Sequence, residues 1–248
     1  MLVSDEGYDG VVIHPEFKAV SVQDDELIAE AGALTVEVAR ASVAAGFTGF
    51  EWAVGIPGTI GGAVRGNAGC MGGETKDALA WVDAYRDGEV VRLTGLECVF
   101  AYRESIFKHG GGVVLRAAFH FARGGAGDGA KKMIEHLQYR NKTQPKIASS
   151  GCMFKNVPVD AFARDVREAL PPAFVEKGIV PAGWLVQEAG GKGMVVGGAE
   201  VSQVHGNFIV NVGDATAQDI LTLARQVKEK VQEQFGVGLE EEIQVVGG

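Results

Sequence analysis

Cysteine is scarce in this 248-residue chain. Cys70, Cys98 and Cys152 are three and widely spaced, which supports neither a disulfide framework nor a thiolate metal site. Reduced thiols and a cytoplasmic setting are therefore expected. Basic residues are outnumbered, 23 against 32 acids, for a net charge of −9. That balance argues against a general nucleic-acid binder and leaves room for a small anionic ligand held by local cations. No apolar run approaches the roughly 18 residues of a membrane span, and Met1–Gly7 (MLVSDEG) lacks the pattern of a signal peptide. Two nucleotide signatures are missing as well, the GxxxxGK[ST] loop and a GxGxxG between strand and helix.

What abounds is glycine, 36 residues in all, and it is concentrated. From Gly55 to Gly73 the chain reads GIPGTIGGAVRGNAGCMGG, eight glycines in nineteen residues. Each glycine in a regular element costs roughly 0.5–1 kcal/mol relative to alanine, so a loop is expected here rather than a helix or strand. Two uses suit it: backbone laid against a phosphate-bearing cofactor, with exposed N–H groups forming an anion nest, or a cluster of tight turns between buried strands.

Around it, the chain reads as mixed α and β. Leu2-Val3 and Val11-Val12-Ile13 are expected strands flanking the turn at Ser4–Gly7. Asp24 to Ala45 is expected to be helical, with Leu27, Ile28, Ala31, Leu34, Val38 and Ala39 on one stripe. Trp81 to Leu93 is a hairpin turning at Asp87-Gly88, and Val113 to Phe121 a strand. Gly124–Gly129 is a flexible joint and the expected domain boundary. Beyond it come a helix over 130–140, a glycine-containing loop at 149–156, and a charged helix over 161–169 stopped by Pro171-Pro172. A strand at 208–212, a strongly amphipathic helix over 216–235 and a terminal strand at 243–246 complete the reading.

Three constellations could carry chemistry. Tyr102-Arg103-Glu104-Ser105 offers a guanidinium fork suited to a carboxylate or a developing oxyanion, or a plain surface pair with Glu104. Gly151-Cys152-Met153-Phe154-Lys155-Asn156 sets a thiol beside a lysine, as an acid, a nucleophile or a small buried apolar group. Gln187, Glu188, Lys192, His205, Asn207 and Asn211 form an amide-rich segment suited to a sugar or pyrimidine, although His205 alone reads better as structural. Glu240–Glu242 is an acidic run entering an apolar strand.

In order, the stretches GIPGTIGGAVRGNAG, YRESIFK, the QP of KTQPKIASSG, GCMFKN, AGWLVQEAGGKG, GGAEVSQVHGNFIVN, ATAQD and FGVGLEEEI resemble the UDP-N-acetylenolpyruvoylglucosamine reductase (MurB) family of peptidoglycan synthesis. The resemblance runs from about residue 46 to the C-terminus. It implies an α+β protein with an FAD-binding domain of the PCMH type over residues 1–124, incomplete at its N-terminus. A substrate-binding α+β domain over 125–248 follows, its last segment returning toward the active site. It further implies FAD and NADPH as cofactors, a nucleotide-sugar substrate and a cytoplasmic monomer; no metal, membrane or nucleic-acid partner is implied. The reaction would reduce UDP-N-acetylglucosamine enolpyruvate to UDP-N-acetylmuramate.

By the same resemblance Arg103, Cys152 and Glu242 are the catalytic residues. Cys152 departs from the family's usual serine, and a thiol with a reference pKa of about 8.5 donates a proton readily. Gly55, Ile56, Pro57, Gly58, Thr59, Gly61, Gly62, Ala63, Asn67 and Gly69 would line the flavin. Tyr102, Arg140, Lys155, Asn156, Gln187, His205 and Asn207 would face the substrate. No room exists between Arg140 and Phe235 for the family's tyrosine-bearing insertion, which implies the shorter type. The family also carries a subdomain with a GGGSN-type loop ahead of the segment matched by Met1–Gly7. Its absence implies a flavin site lacking one wall, and the alternative of a flavin-free, inactive nucleotide-sugar-binding fragment. A third reading, an oxidase on the same cofactor fold, is opposed by the substrate-half motifs.

Overall fold

The computed structural model describes residues 1–248 apart from the side chain of Ala126. It divides into two compact units, residues 12–142 and residues 1–11 with 143–248. The division therefore falls beyond the expected joint at Gly124–Gly129. That glycine run opens a helix instead: Gly125 accepts bonds from the N–H groups of Asp128 and Gly129. A Cβ on Gly129 would stand 3.0 Å from Val43, so glycine is what lets the new helix approach its neighbour.

Residues 12–142 are built on a five-stranded antiparallel sheet. Its strands are β1 (Val20–Gln23), β2 (Glu26–Glu30), β3 (Leu79–Arg86), β4 (Glu89–Thr94) and β5 (Val113–His120), in the order β1-β2-β5-β3-β4. Here the helix expected from Asp24 gives way to a hairpin. Asp24 turns the chain with φ 53°, and Leu27 and Ala29 point into the core at the period of two that a strand requires. Helix α1 begins only at Thr35 and runs to Ala44. Val11–Ile13 form no strand and are 77–86% exposed. The Asp87-Gly88 turn stands as expected, both residues with positive φ, the requirement of a two-residue hairpin loop matched to strand twist. One sheet face, carrying Leu27, Ala29, Val82, Ala117 and Phe119, closes the core. On the other face Asp83 accepts two bonds from Arg92 and one from Arg116, and those cations hold its carboxyl below the usual range.

The glycine-rich stretch is more ordered than a loop. Thr59 caps a short helix, α2 (Ile60–Arg65), in spite of Gly61 and Gly62. Tertiary packing overrides propensity: a Cβ on Gly61 would lie 3.0 Å from the Ala31 side chain, and one on Gly73 only 2.3 Å from the Trp52 ring. Helix α3 (Ala126–Thr143) ends this unit.

In the other unit, β6 (Ser149–Cys152), β7 (Val195–Val196), β8 (Ala199–Val201) and β9 (Phe208–Asn211) form an antiparallel sheet in the order β6-β9-β8-β7. Helix α4 (Ala182–Glu188) and helix α5 (Ala217–Phe235) belong to the same core, α5 packing on β7 and β8. The α5 stripe of Leu223, Ala224, Val227, Val231 and Phe235 is buried as its periodicity demands, each large side chain contributing about 1.5–3 kcal/mol. Thr216 and Asp219 form a reciprocal capping box, and the Asp5 carboxylate accepts the Ala217 N–H at 2.9 Å. Leu2–Val3 pairs in parallel with Val245–Val246. The charged segment is helical over Arg164–Ala169, and Pro172 opens the next short helix. Among the described residues, no helix is long and apolar enough to cross a membrane.

Candidate functional site

Within residues 12–142, the glycine stretch and Arg103 come together. The N–H groups of Ile60 and Gly61 donate to Ala33 and Ala31, and that of Gly62 to the Thr59 hydroxyl. The start of α2 is thus occupied, and the anion nest is narrower than expected. Gly58 and Thr59 donate their N–H groups to no partner among the described residues. Gly58 has φ +125° and nothing within 4 Å of its missing Cβ. An exposed rim with unpaired amide donors fits the phosphates of a cofactor such as FAD. Thr35 fixes that rim from below, its hydroxyl donating to Ile56 O at 2.6 Å.

Asn67 does not face this rim. It is fully buried, with φ 42°; its amide donates to Glu74 and Ala101 and accepts from Lys76 N–H. All of its hydrogen-bonding capacity is directed inward, making it a brace of the loop. Gly69 is likewise enclosed, its missing Cβ 2.6 Å from Gly73 O.

Arg103 sits at the tip of a two-residue turn. Ala101 and Glu104 exchange both backbone bonds at 3.1 Å, and Arg103 has φ 57°. Its Nη2 donates to Gly69 O at 2.8 Å and its guanidinium lies 4.9 Å from the Tyr102 ring centre. Arg140 approaches both ends of the glycine stretch: Nη1 is 3.6 Å from Cys70 Sγ, and a Cβ on Gly55 would overlap its Cδ. That places Arg140 against the cofactor loop.

Within the other unit, the backbone just after Cys152 meets the Glu240–Glu242 segment through an isolated bridge, although Cys152 and Glu242 are 90 positions apart in the sequence. Glu242 N–H donates to Met153 O at 2.8 Å, Lys155 N–H to Glu240 O at 2.8 Å, and Phe154 bridges Glu241. Both Cys152 and Glu242 are half-buried. The register of β6 against β9 slips between Ser149 and Cys152, with Gly151 at φ +90°. Such a bulge re-aims the side chain that follows it. Buried Cys98 contrasts, its thiol pushed up to about 11 by burial.

Two of the expected substrate contacts serve this scaffold. Asn207 is 3% exposed; its Oδ1 accepts Phe154 N–H at 2.9 Å and its Nδ2 donates to Phe154 O at 2.8 Å. Its own carbonyl accepts Met153 N–H. The side chain thus stands in for a strand partner beside Cys152. Asn156 Oδ1 accepts the first N–H of α4, from Ala182. His205 Nδ1 accepts the Asn207 N–H at 3.1 Å, which puts the ring proton on Nε2. Burial, reinforced by Lys192, holds its pKa below the ordinary value. Lys155 pairs with Glu240 at 2.6 Å, and Gln187 is exposed on α4.

Motif reading missed Lys108 and Glu74, and gave Ser105 no role of its own. Ser105 is buried and donates to Arg65 O at 2.7 Å. Lys108 donates to Arg103 O. Lys108 stands inside YRESIFK, so its signal was present, but nothing in the motif says that its ammonium turns back onto the Arg103 carbonyl.

Comparison with known proteins agrees over the whole chain. Residues 143–246 match the UDP-N-acetylenolpyruvoylglucosamine reductase C-terminal domain family, and residues 1–94 match an FAD binding domain family. The chain is 40% identical to the UDP-N-acetylenolpyruvoylglucosamine reductase of Rubrobacter xylanophilus, over all of this chain and 77% of that protein. It is 38% identical to the protein of the same name from Caldanaerobacter subterraneus, over all of this chain and 76% of the relative. The crystal structure of the Thermus caldophilus UDP-N-acetylenolpyruvylglucosamine reductase superposes with a TM-score of 0.73 at 36% identity. That match covers 94% of this chain and 76% of the other.

Proposed function

The chain belongs to the UDP-N-acetylenolpyruvoylglucosamine reductase family, and from that membership we propose that it reduces UDP-N-acetylglucosamine enolpyruvate to UDP-N-acetylmuramate with FAD and NADPH. The observation that carries this reading is the match of the entire chain to relatives of that name, joined to a structure in which Glu242 donates its N–H to the carbonyl of Met153, the neighbour of Cys152. Residues 12–142 hold the flavin, with Gly58 and Thr59 offering N–H donors at the cofactor rim. Residues 143–248 hold the nucleotide-sugar, with Lys155, Gln187 and the Nε2–H of His205 as its polar contacts, and Tyr102 and Arg103 are further substrate contacts.

The hydride that reduces the enolpyruvyl double bond would be supplied through bound FAD, at the expense of NADPH. Arg103 holds the substrate carboxylate and the negative charge that grows beside it, as an always-protonated planar donor does best. The Cys152 thiol delivers a proton from Sγ to the adjoining carbon. Glu242, whose N–H donates to Met153 O beside Cys152, assists that proton transfer. The protein acts as a cytoplasmic monomer, which size-exclusion chromatography checks.

The purified chain should be yellow, be bleached by NADPH, and regain its colour on addition of the enolpyruvyl nucleotide. A colourless protein that still binds the nucleotide-sugar would overturn the flavin assignment. Cys152→Ser should keep measurable turnover, and Cys152→Ala should lose it with flavin reduction intact. Normal turnover by the alanine variant would remove Cys152 from the mechanism.

A further inference from the structure

Four non-glycine residues with left-handed backbone gather beside Arg103's turn. Asn67 (φ 42°) and Met71 (φ 54°) lie in the glycine stretch, and Val99 (φ 48°) and Arg103 itself (φ 57°) in the facing segment. Such geometry is rare for residues with a Cβ, and rarest for a β-branched valine. It persists only where surrounding bonds over-determine it, and it clusters at functional sites. Those bonds are present. Asn67 Nδ2 donates to Ala101 O at 2.9 Å, Arg103 Nη2 to Gly69 O at 2.8 Å, and Ser105 Oγ to Arg65 O at 2.7 Å. The two segments are stitched at three points.

One side chain holds the tip itself. Lys108 Nζ donates to Arg103 O, and sits 3.5 Å from Glu104 Oε1. Its side chain is only 11% exposed. Lysine ordinarily extends its ammonium into water, so burying it against one carbonyl needs a structural return. The carbonyl of Arg103 belongs to the peptide that follows it, whose orientation is set by ψ; together with the left-handed φ this shapes the tip from which the side chain leaves, and Lys108 holds that carbonyl. We propose that Lys108 is a positioning residue for Arg103, with Asn67 as the second anchor, tying the catalytic guanidinium to the cofactor loop. This rests on the reading of Arg103 as the group that handles the substrate carboxylate.

The test uses Lys108→Met, which keeps the stem and removes the donor, and Lys108→Arg, which restores one. Amide hydrogen exchange reads the turn directly. Lys108→Met should speed exchange at Ala101 and Glu104 by about tenfold or more and leave β5 unchanged. In stopped-flow, NADPH should bleach the flavin at the wild-type rate. Reoxidation by the enolpyruvyl nucleotide should slow by about 10- to 100-fold, the scale of a small misplacement, with Lys108→Arg recovering most of it. In an Arg103→Ala background, Lys108→Met should cause no further loss. Unchanged exchange at the turn, or an equal loss in the Arg103→Ala background, would overturn the proposal. Should the methionine variant not fold, Lys108→Leu, which also lacks a donor, carries the same expectations. A wild-type protein that is not reoxidised by the nucleotide refutes the functional reading instead, and the exchange experiment then still decides the role of Lys108 in the turn.

Discussion

Asn207→Ala should strongly destabilise the 143–248 unit although it touches no reacting group. In the native chain both amide atoms of Asn207 are engaged with the Phe154 backbone, at 2.9 and 2.8 Å, and Asn207 is 3% exposed. Phe154 is 1% exposed, so water cannot take over. Truncation leaves one buried N–H and one buried C=O unpaired. Each unsatisfied group costs about 1–3 kcal/mol, which sums to about 2–6 kcal/mol. With a urea slope of about 1–3 kcal/mol per molar, the midpoint should fall by about 1 M or more. Trp184 reports on this unit, because it packs against Phe174 at 5.3 Å and Phe235 at 5.7 Å. Its emission through a urea titration is the assay. Asn207→Asp should be no milder: one oxygen still accepts Phe154 N–H, while the other faces the Phe154 carbonyl with no hydrogen between them. Turnover should fall with stability, since the strand that loosens carries Cys152. A midpoint shift worth less than about 1 kcal/mol in the alanine variant would refute the claim that this amide acts as a strand partner.

Two further outcomes follow from the geometry. Gly73→Ala drives a methyl to 2.3 Å from Trp52, whose ring is held by Phe50 at 5.0 Å and by a bond to Gly49 O. It should cost about 1–3 kcal/mol and lower the melting temperature, and an unchanged melting curve would contradict the packing described. His205 has its pKa lowered from 6.5 in the folded protein, first by burial and then by Lys192. Its stabilising contribution is therefore complete above pH 6.5 and is lost as pH falls through the lower folded value, because the unfolded chain takes up the proton first. Stability measured by denaturant titration should rise with pH across that window, and His205→Gln should flatten the rise.

Local rules carried some elements from sequence to structure unchanged. The Asp87-Gly88 turn needs two positive φ values, which aspartate and glycine supply. Helix α5 carries its own cap at Thr216, its own stop at Gly236 and a complete apolar stripe. The order of the motifs likewise marks the family in the sequence itself. Elsewhere the signals were ambiguous. Leu27, Ile28 and Ala31 satisfy a helical spacing while Leu27, Ala29 and Ala31 satisfy an alternating one, and what decided for a strand was pairing with β5, far along the chain.

The reassigned site residues share a single cause. Glycine in a stretch such as Gly55–Gly73 signals a close approach without saying to what; Gly58 meets open space, whereas Gly61 and Gly73 meet Ala31 and Trp52. Asparagine in a motif signals a fixed amide without naming its partner. For Asn67 that partner is Ala101, 34 positions on, and for Asn207 it is Phe154, 53 positions back. The kinds of residue, their order and the chemistry they can support were written in the chain. Which of them turn toward a ligand and which toward the backbone of a neighbouring segment depended on hydrogen-bond geometry between distant segments, and that exists only once the chain has folded.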